Sequence, residues 1–90
     1  MTARLLPGAE LVEKGLGDLA AGTPTAEALL VSIGAPRLRG LGLDVPSPFD
    51  RPEERLYLLL ARDDPNGAHG RYNALIRRLV SFERAAESAS

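Results

Sequence analysis

The sequence predicts an all-α fold: a small single-domain bundle of four to five helices with a long C-terminal amphipathic helix. Three observations carry this. The apolar residues are mostly Leu, Ala and Val, with only four aromatics (Phe49, Tyr57, Tyr72, Phe82), a composition that favours helix over sheet. No stretch alternates polar and apolar residues with the period of a strand. The stretch Asp64 to Glu87 has the helical period throughout. On a wheel with Tyr72 at its origin, Ala68, Leu75, Ile76, Leu79, Val80, Phe82 and Ala86 share one arc of roughly 160°. Arg71, Asn73, Arg77, Arg78, Ser81 and Arg84 fill the other side.

A chain of 90 residues makes one domain, 1–90, with a modest core. A domain of this size buries roughly 60–65% of the surface its unfolded chain exposes, so a second copy would help to stabilise it. The lead 1–7 and the tail 88–90 are expected to be mobile, although Leu5 and Leu6 are apolar enough to dock.

The first helix is expected from about Gly8 to Ala21. Val12, Leu16, Leu19 and Ala20 share a face, Glu10 and Lys14 form an i,i+4 pair, and Gly22 is a stop. Gly15 and Gly17 each weaken it by roughly 1 kcal/mol relative to Ala. Gly15, on the edge of the apolar face, either admits a neighbouring helix closely or belongs to a weak helix held by packing. Thr23-Pro24-Thr25 offers a cap for the second helix, and Ala26 to Ile33 is so apolar that this helix should be central. Gly34-Ala35-Pro36 ends or kinks it. A short helix from Pro36 to about Leu41 would turn Leu38 and Leu41 inward and Arg37 and Arg39 outward.

Gly42 to Phe49 holds Pro46 and Pro48, so it should be an extended connection pinned by Leu43, Val45 and Phe49. Asp50-Arg51-Pro52-Glu53 reads as a capping box with Asp50 as the cap. Leu56 to Ala61 is continuously apolar and should be central, and Arg62 closes that helix near its negative end. Asp64 then caps the last helix, with Pro65 at its first position. The expected core is Val12, Leu16, Leu19, Leu29, Leu30, Ile33, Leu38, Leu41, Leu56, Leu59, Leu60, Tyr72, Leu75, Ile76 and Leu79.

The formal net charge is −1, which argues against a chain that binds nucleic acid through overall charge. There is no cysteine, so disulfides, thiolate metal sites and thiol redox chemistry are excluded. No apolar run reaches the length of a membrane span and no charged-then-apolar leader opens the chain, so a cytoplasmic protein without membrane contact is the default.

Several patterns could carry chemistry. Glu53-Glu54 and Asp63-Asp64 are paired acids, but both pairs fall where helix starts are expected, and there acids are favoured by the macrodipole. No metal site has the ligand spacing it needs, and no glycine-rich phosphate cradle has its strand-before, helix-after context, so neither a metal nor another cofactor is expected. His69, the single histidine, lies near a helix start, where the positive helix end disfavours the imidazolium. A neutral surface histidine is the bland reading. With six residues between them, Arg62 and His69 straddle a helix junction. This resembles the R-x(4–6)-H motif of HEPN domains, helical bundles that include RNA-cleaving toxins. The resemblance implies that Arg62 and His69 converge on an RNA phosphate in a cleft usually built by two copies.

The ALLVSIGAPRLRGLGL stretch could form a helix-turn-helix with Arg37 and Arg39 on its second helix, although Leu30 stands where a tight crossing wants a small residue. The arginine face of the last helix (Arg71, Arg77, Arg78, Arg84) is a solvated face, a dock for an acidic protein, or a tracker of phosphates. Glu83 breaks the apolar arc. If the helix outruns the core, Glu83 lies in water and Val80, Phe82 and Ala86 are exposed beside it as a partner surface. A non-enzymatic protein–protein interaction module is therefore expected, homodimeric through the last helix or bound to another protein. Its contact residues would be Arg77, Arg78, Val80, Phe82, Glu83 and Arg84. The alternatives are a HEPN-like ribonuclease and a helix-turn-helix DNA-binding regulator.

Overall fold

The computed structural model describes residues 6–89, so most of the expected mobile lead, with Leu5, and the final residue of the tail lie outside the described residues. Five helices follow in order: α1 (Ala9–Ala20), α2 (Ala26–Ile33), α3 (Ala35–Gly40), α4 (Pro52–Asp63) and α5 (Ala68–Ala89). No strand occurs among the described residues.

The most apolar helix is the central one. α2 packs on α1, α3, α4 and α5, and Ala28, Leu29, Leu30 and Val31 are all fully buried. Its start is set by Thr25, whose hydroxyl accepts from the Ala28 N–H at 3.2 Å and donates to the Asp18 carboxylate at 2.7 Å. One side chain thus caps α2 and ties it to the end of α1. Asp18 also receives the Lys14 ammonium at 2.6 Å, and Lys14 reaches Glu27 at 3.5 Å, in place of the expected pair with Glu10.

Gly15 is the crossing point of α1 and α2. A Cβ there would run into the carbonyl oxygen of Glu27 and lie 2.7 Å from Val31 Cγ1, so the glycine serves close approach. Gly17, two residues on, meets nothing within 4 Å. The weak spot in the helix is therefore the tight spot in the fold.

The connection 43–49 is not helical, as its two prolines require, and α2 and α3 hold it. Buried Ser32 donates to the Ala28 carbonyl at 2.8 Å and accepts the Phe49 N–H at 3.1 Å. Arg39 donates to the Val45 carbonyl at 3.0 and 3.3 Å and to the Pro46 carbonyl at 3.1 Å. The Arg55 guanidinium lies 5.0 Å from the centre of the Phe49 ring.

Two expected helix starts differ. Asp50 does not cap α4: Arg51 holds that position in the left-handed region (φ 47°, ψ 54°), with no side-chain cap bond. Phe49 is fixed against α2, which leaves two residues to turn the chain into Pro52, and the capping box cannot form. Asp64 does accept an amide, that of Gly67 at 3.0 Å, but the bond closes a turn, and α5 begins at Ala68.

Of the expected core, Val12, Leu19, Leu29, Leu30, Leu38, Leu56, Leu60 and Leu79 are buried, while Leu16, Ile33, Leu41, Leu59, Tyr72, Leu75 and Ile76 are half-buried. The continuous apolar run of α4 is not enclosed: Tyr57 is 39% and Leu58 59% exposed.

Candidate functional site

The apolar side of the C-terminal half of α5 is covered by its own chain. Phe82 is 1% and Glu83 4% exposed, and Val80 and Ala86 are half-buried, so the expected apolar overhang is not there. Two contacts explain the correction. The segment leading into α1 folds onto α5 at Gly8 (φ +79°), where a Cβ would come within 2.9 Å of the Arg78 carbonyl oxygen and 3.4 Å of Phe82 Cβ. On another side the α2–α3 junction reaches Glu83 and Leu79: a Cβ on Gly34 would lie 3.1 Å from Glu83 Oε2 and 3.1 Å from Leu79 Cδ2.

Glu83 faces an arginine of its own chain. Arg37 Nε is 4.0 Å from Glu83 Oε1, and Arg37 Nη2 is 3.3 Å from Glu87 Oε2. Burial pushes the Glu83 carboxyl above the ordinary glutamate range, and the charge of Arg37 pulls it partly back. The expected pairing of Glu83 with a second subunit therefore gives way to an internal clamp between α3 and α5. Arg77, Arg78 and Arg84 remain exposed, without an ion pair among the described residues.

The two arginines that a helix-turn-helix would offer to DNA are both engaged internally, Arg37 with α5 and Arg39 with the Val45 and Pro46 carbonyls. Their helix, α3, is only six residues long.

Arg62 and His69 stand on either side of the turn between α4 and α5. The Arg62 side lines a groove of about 380 Å³ with Pro24, Leu29, Arg55, Leu58 and Leu59, and His69 is not part of it. The exposed His69 ring contacts Asn73 Nδ2 through Nε2 at 3.2 Å, one turn along its own helix. The groove thus brings Arg62 together with apolar side chains and not with a base. Among the described residues, no group of three or more His, Cys, Asp or Glu side chains could hold a metal ion. No described helix is long and apolar enough to cross a membrane.

Among the described residues, the exposed large apolar side chains are on α4. Leu58 stands outward, with Glu54 one turn before it and Arg62 one turn after it, all three exposed and within roughly 80° of the helix circumference. Tyr57 flanks this stripe and packs on Tyr72 of α5, ring centres 5.9 Å apart. Pro24 and Leu59 flank it on the groove side. Glu54 has a loose internal partner, Arg51 at 3.6 Å, with both side chains mostly in water. This stripe is not legible in the sequence because every residue from Leu56 to Ala61 is apolar, and an unbroken run does not show which face is out. The available signal was the charge pattern around it, Glu54 and Arg62 placed symmetrically about Leu58.

No family model, curated protein or solved structure matches this chain.

Proposed function

We propose that this chain is a non-enzymatic protein–protein interaction module that acts as a homodimer, joined through α4. One observation carries the reading: the most exposed large apolar side chain, Leu58, sits midway between an acid and a base on the same helical stripe. In an antiparallel pairing of two α4 helices with the two-fold axis at Leu58, a residue four before the axis meets a residue four after it. Glu54 of each copy then faces Arg62 of the other. Such an interface is self-complementary, as two-fold symmetry requires. Leu58 packs on Leu58 at its centre, with the apolar rims of Tyr57, Leu59 and Pro24 beside it.

The size of the patch sets the strength. Twelve helical residues and their neighbours supply a contact at the low end of specific interfaces, so a dissociation constant in the range of roughly micromolar or weaker is expected. The exposed ion pairs contribute about 0–1 kcal/mol each and mainly fix the register, while burial of Leu58 and Tyr57 supplies most of the affinity. The arginine face of α5 stays outside this contact as a solvated surface. A cytoplasmic location accords with a cysteine-free chain and belongs to the same proposal.

The test is a charge exchange. Glu54→Arg and Arg62→Glu should each weaken self-association. The double variant, which restores the pairing in mirrored form, should recover it. Single and double variants that all associate like the original chain would remove α4 as the interface.

A further inference from the structure

We infer that the cleft between the α2–α3 junction and α5 is a binding site for a small aliphatic amine, with Glu83 as the group that holds its ammonium. This cleft is separate from the α4 stripe, and the inference does not depend on the dimer.

The Glu83 carboxylate has an ion-pair partner in Arg37 but no hydrogen-bond donor among the described residues, and its oxygens keep a little access to water. The residue as a whole is 4% exposed. Its one charged neighbour, Arg37, stays at 4.0 Å, beyond hydrogen-bond reach, and makes its shorter contact to Glu87 at 3.3 Å. A buried carboxylate presents about four lone-pair sites and is costly without donors. The little surface Glu83 retains opens into a cleft of about 290 Å³, walled by Ile33, Pro36, Ile76 and Val80. Gly34 lets the α2–α3 junction approach the carboxylate closely, since any Cβ there would lie 3.1 Å from Oε2 and 3.1 Å from Leu79 Cδ2. Burial raises the carboxyl toward its neutral form, as a charged group lacking donors requires.

An ammonium is the group that completes this arrangement. It brings three donors in a compact head and the charge that Arg37 compensates only at a distance. The aliphatic walls suit a chain of about five carbons, at the small end of ligand sites. Anions are opposed by Glu83, and a neutral hydrocarbon would leave its oxygens without donors. Among the described residues, the polar side chains on the cleft are Glu83 and Arg37, so the peptide groups flanking a lysine of another protein would find no side-chain partners there. A free amine fits better.

The experiment is an NMR titration of the full chain with n-pentylammonium chloride at fixed ionic strength, following backbone amides. Saturable shifts centred on Ile33, Gly34, Val80 and Glu83 are expected. Binding should weaken at least ten-fold in Glu83→Gln, and 1-pentanol should bind at least ten-fold more weakly than the amine. Gly34→Ala is the second variant: it keeps the carboxylate, crowds Oε2 and the Leu79 side chain, and should also weaken binding. Non-saturating shifts, equal binding by the Glu83→Gln variant, or equal binding of 1-pentanol would each overturn the site. Tighter binding of Nα-acetyl-lysine methylamide than of n-pentylammonium would overturn the free amine as its occupant.

Discussion

Replacing Gly15 and Gly17 by alanine, one at a time, tests the packing of the domain where it is tightest. Both glycines lie inside α1, and on propensity alone either replacement should stabilise the protein by roughly 0.5–1 kcal/mol. The surroundings separate them. At Gly17 the new methyl group meets nothing within 4 Å, so the full gain is expected. At Gly15 it meets the Glu27 carbonyl and Val31 Cγ1. The carbonyl belongs to the backbone of central α2 and cannot swing aside, so α1 and α2 must separate. Overpacking of this kind costs about 1–3 kcal/mol, and the propensity gain offsets part of it. A net loss of about 1–2 kcal/mol is expected for Gly15→Ala. For a domain of this length each kcal/mol moves Tm by about 4–8 °C, so the two variants should melt on opposite sides of the original chain. Thermal unfolding followed by circular dichroism reads this directly. If Gly15→Ala melts as high as Gly17→Ala, the close crossing of α1 and α2 is wrong.

Thr25→Ala removes the α2 cap and the bond to Asp18 together and should cost about 1–2 kcal/mol by urea unfolding. Glu83→Gln should stabilise the protein at neutral pH. The folded-state carboxyl titrates above its ordinary value, so the folded chain holds the proton over a range where the unfolded chain has lost it. Stability from Glu83 is therefore full at acid pH and falls as pH rises from the ordinary glutamate range through the raised folded value. The advantage of the variant over the original should grow across that window and then level off, and an advantage that shrinks with rising pH would contradict the burial of Glu83. Leu58→Asp should leave unfolding nearly unchanged at low concentration and abolish self-association.

What the sequence disclosed and what it withheld divide along one physical line. Periodicity and punctuation are local, and they located the helices. Thr25 before an apolar run marks a start, Gly34 and Pro36 mark a break, and Pro46 and Pro48 forbid helix between α3 and α4. How far a neighbour reaches along a helix is not local. The α5 wheel placed Phe82 and Glu83 on or near the apolar face, but not the chain entering α1 at Gly8 that covers Phe82, nor Arg37 facing Glu83 from α3. Glu83 in the middle of an apolar arc was the visible anomaly. Two accounts suit such an anomaly, an overhang in water or a buried partner, and only the fold decides between them. At α4 the difficulty was the reverse, because an all-apolar run has no period and Leu58 could not be told from Leu56 or Leu60. Asp50 failed as a cap because Phe49, held by Ser32, fixes where the chain must turn.

The absolute mass of the full chain in solution, measured by light scattering from low micromolar to near-millimolar concentration, reports whether two copies pair through α4. A rise from one chain mass to two is expected, with Leu58→Asp staying at one throughout. A mass of one chain at every concentration would contradict that pairing, as would a dimer that the Leu58→Asp variant retains.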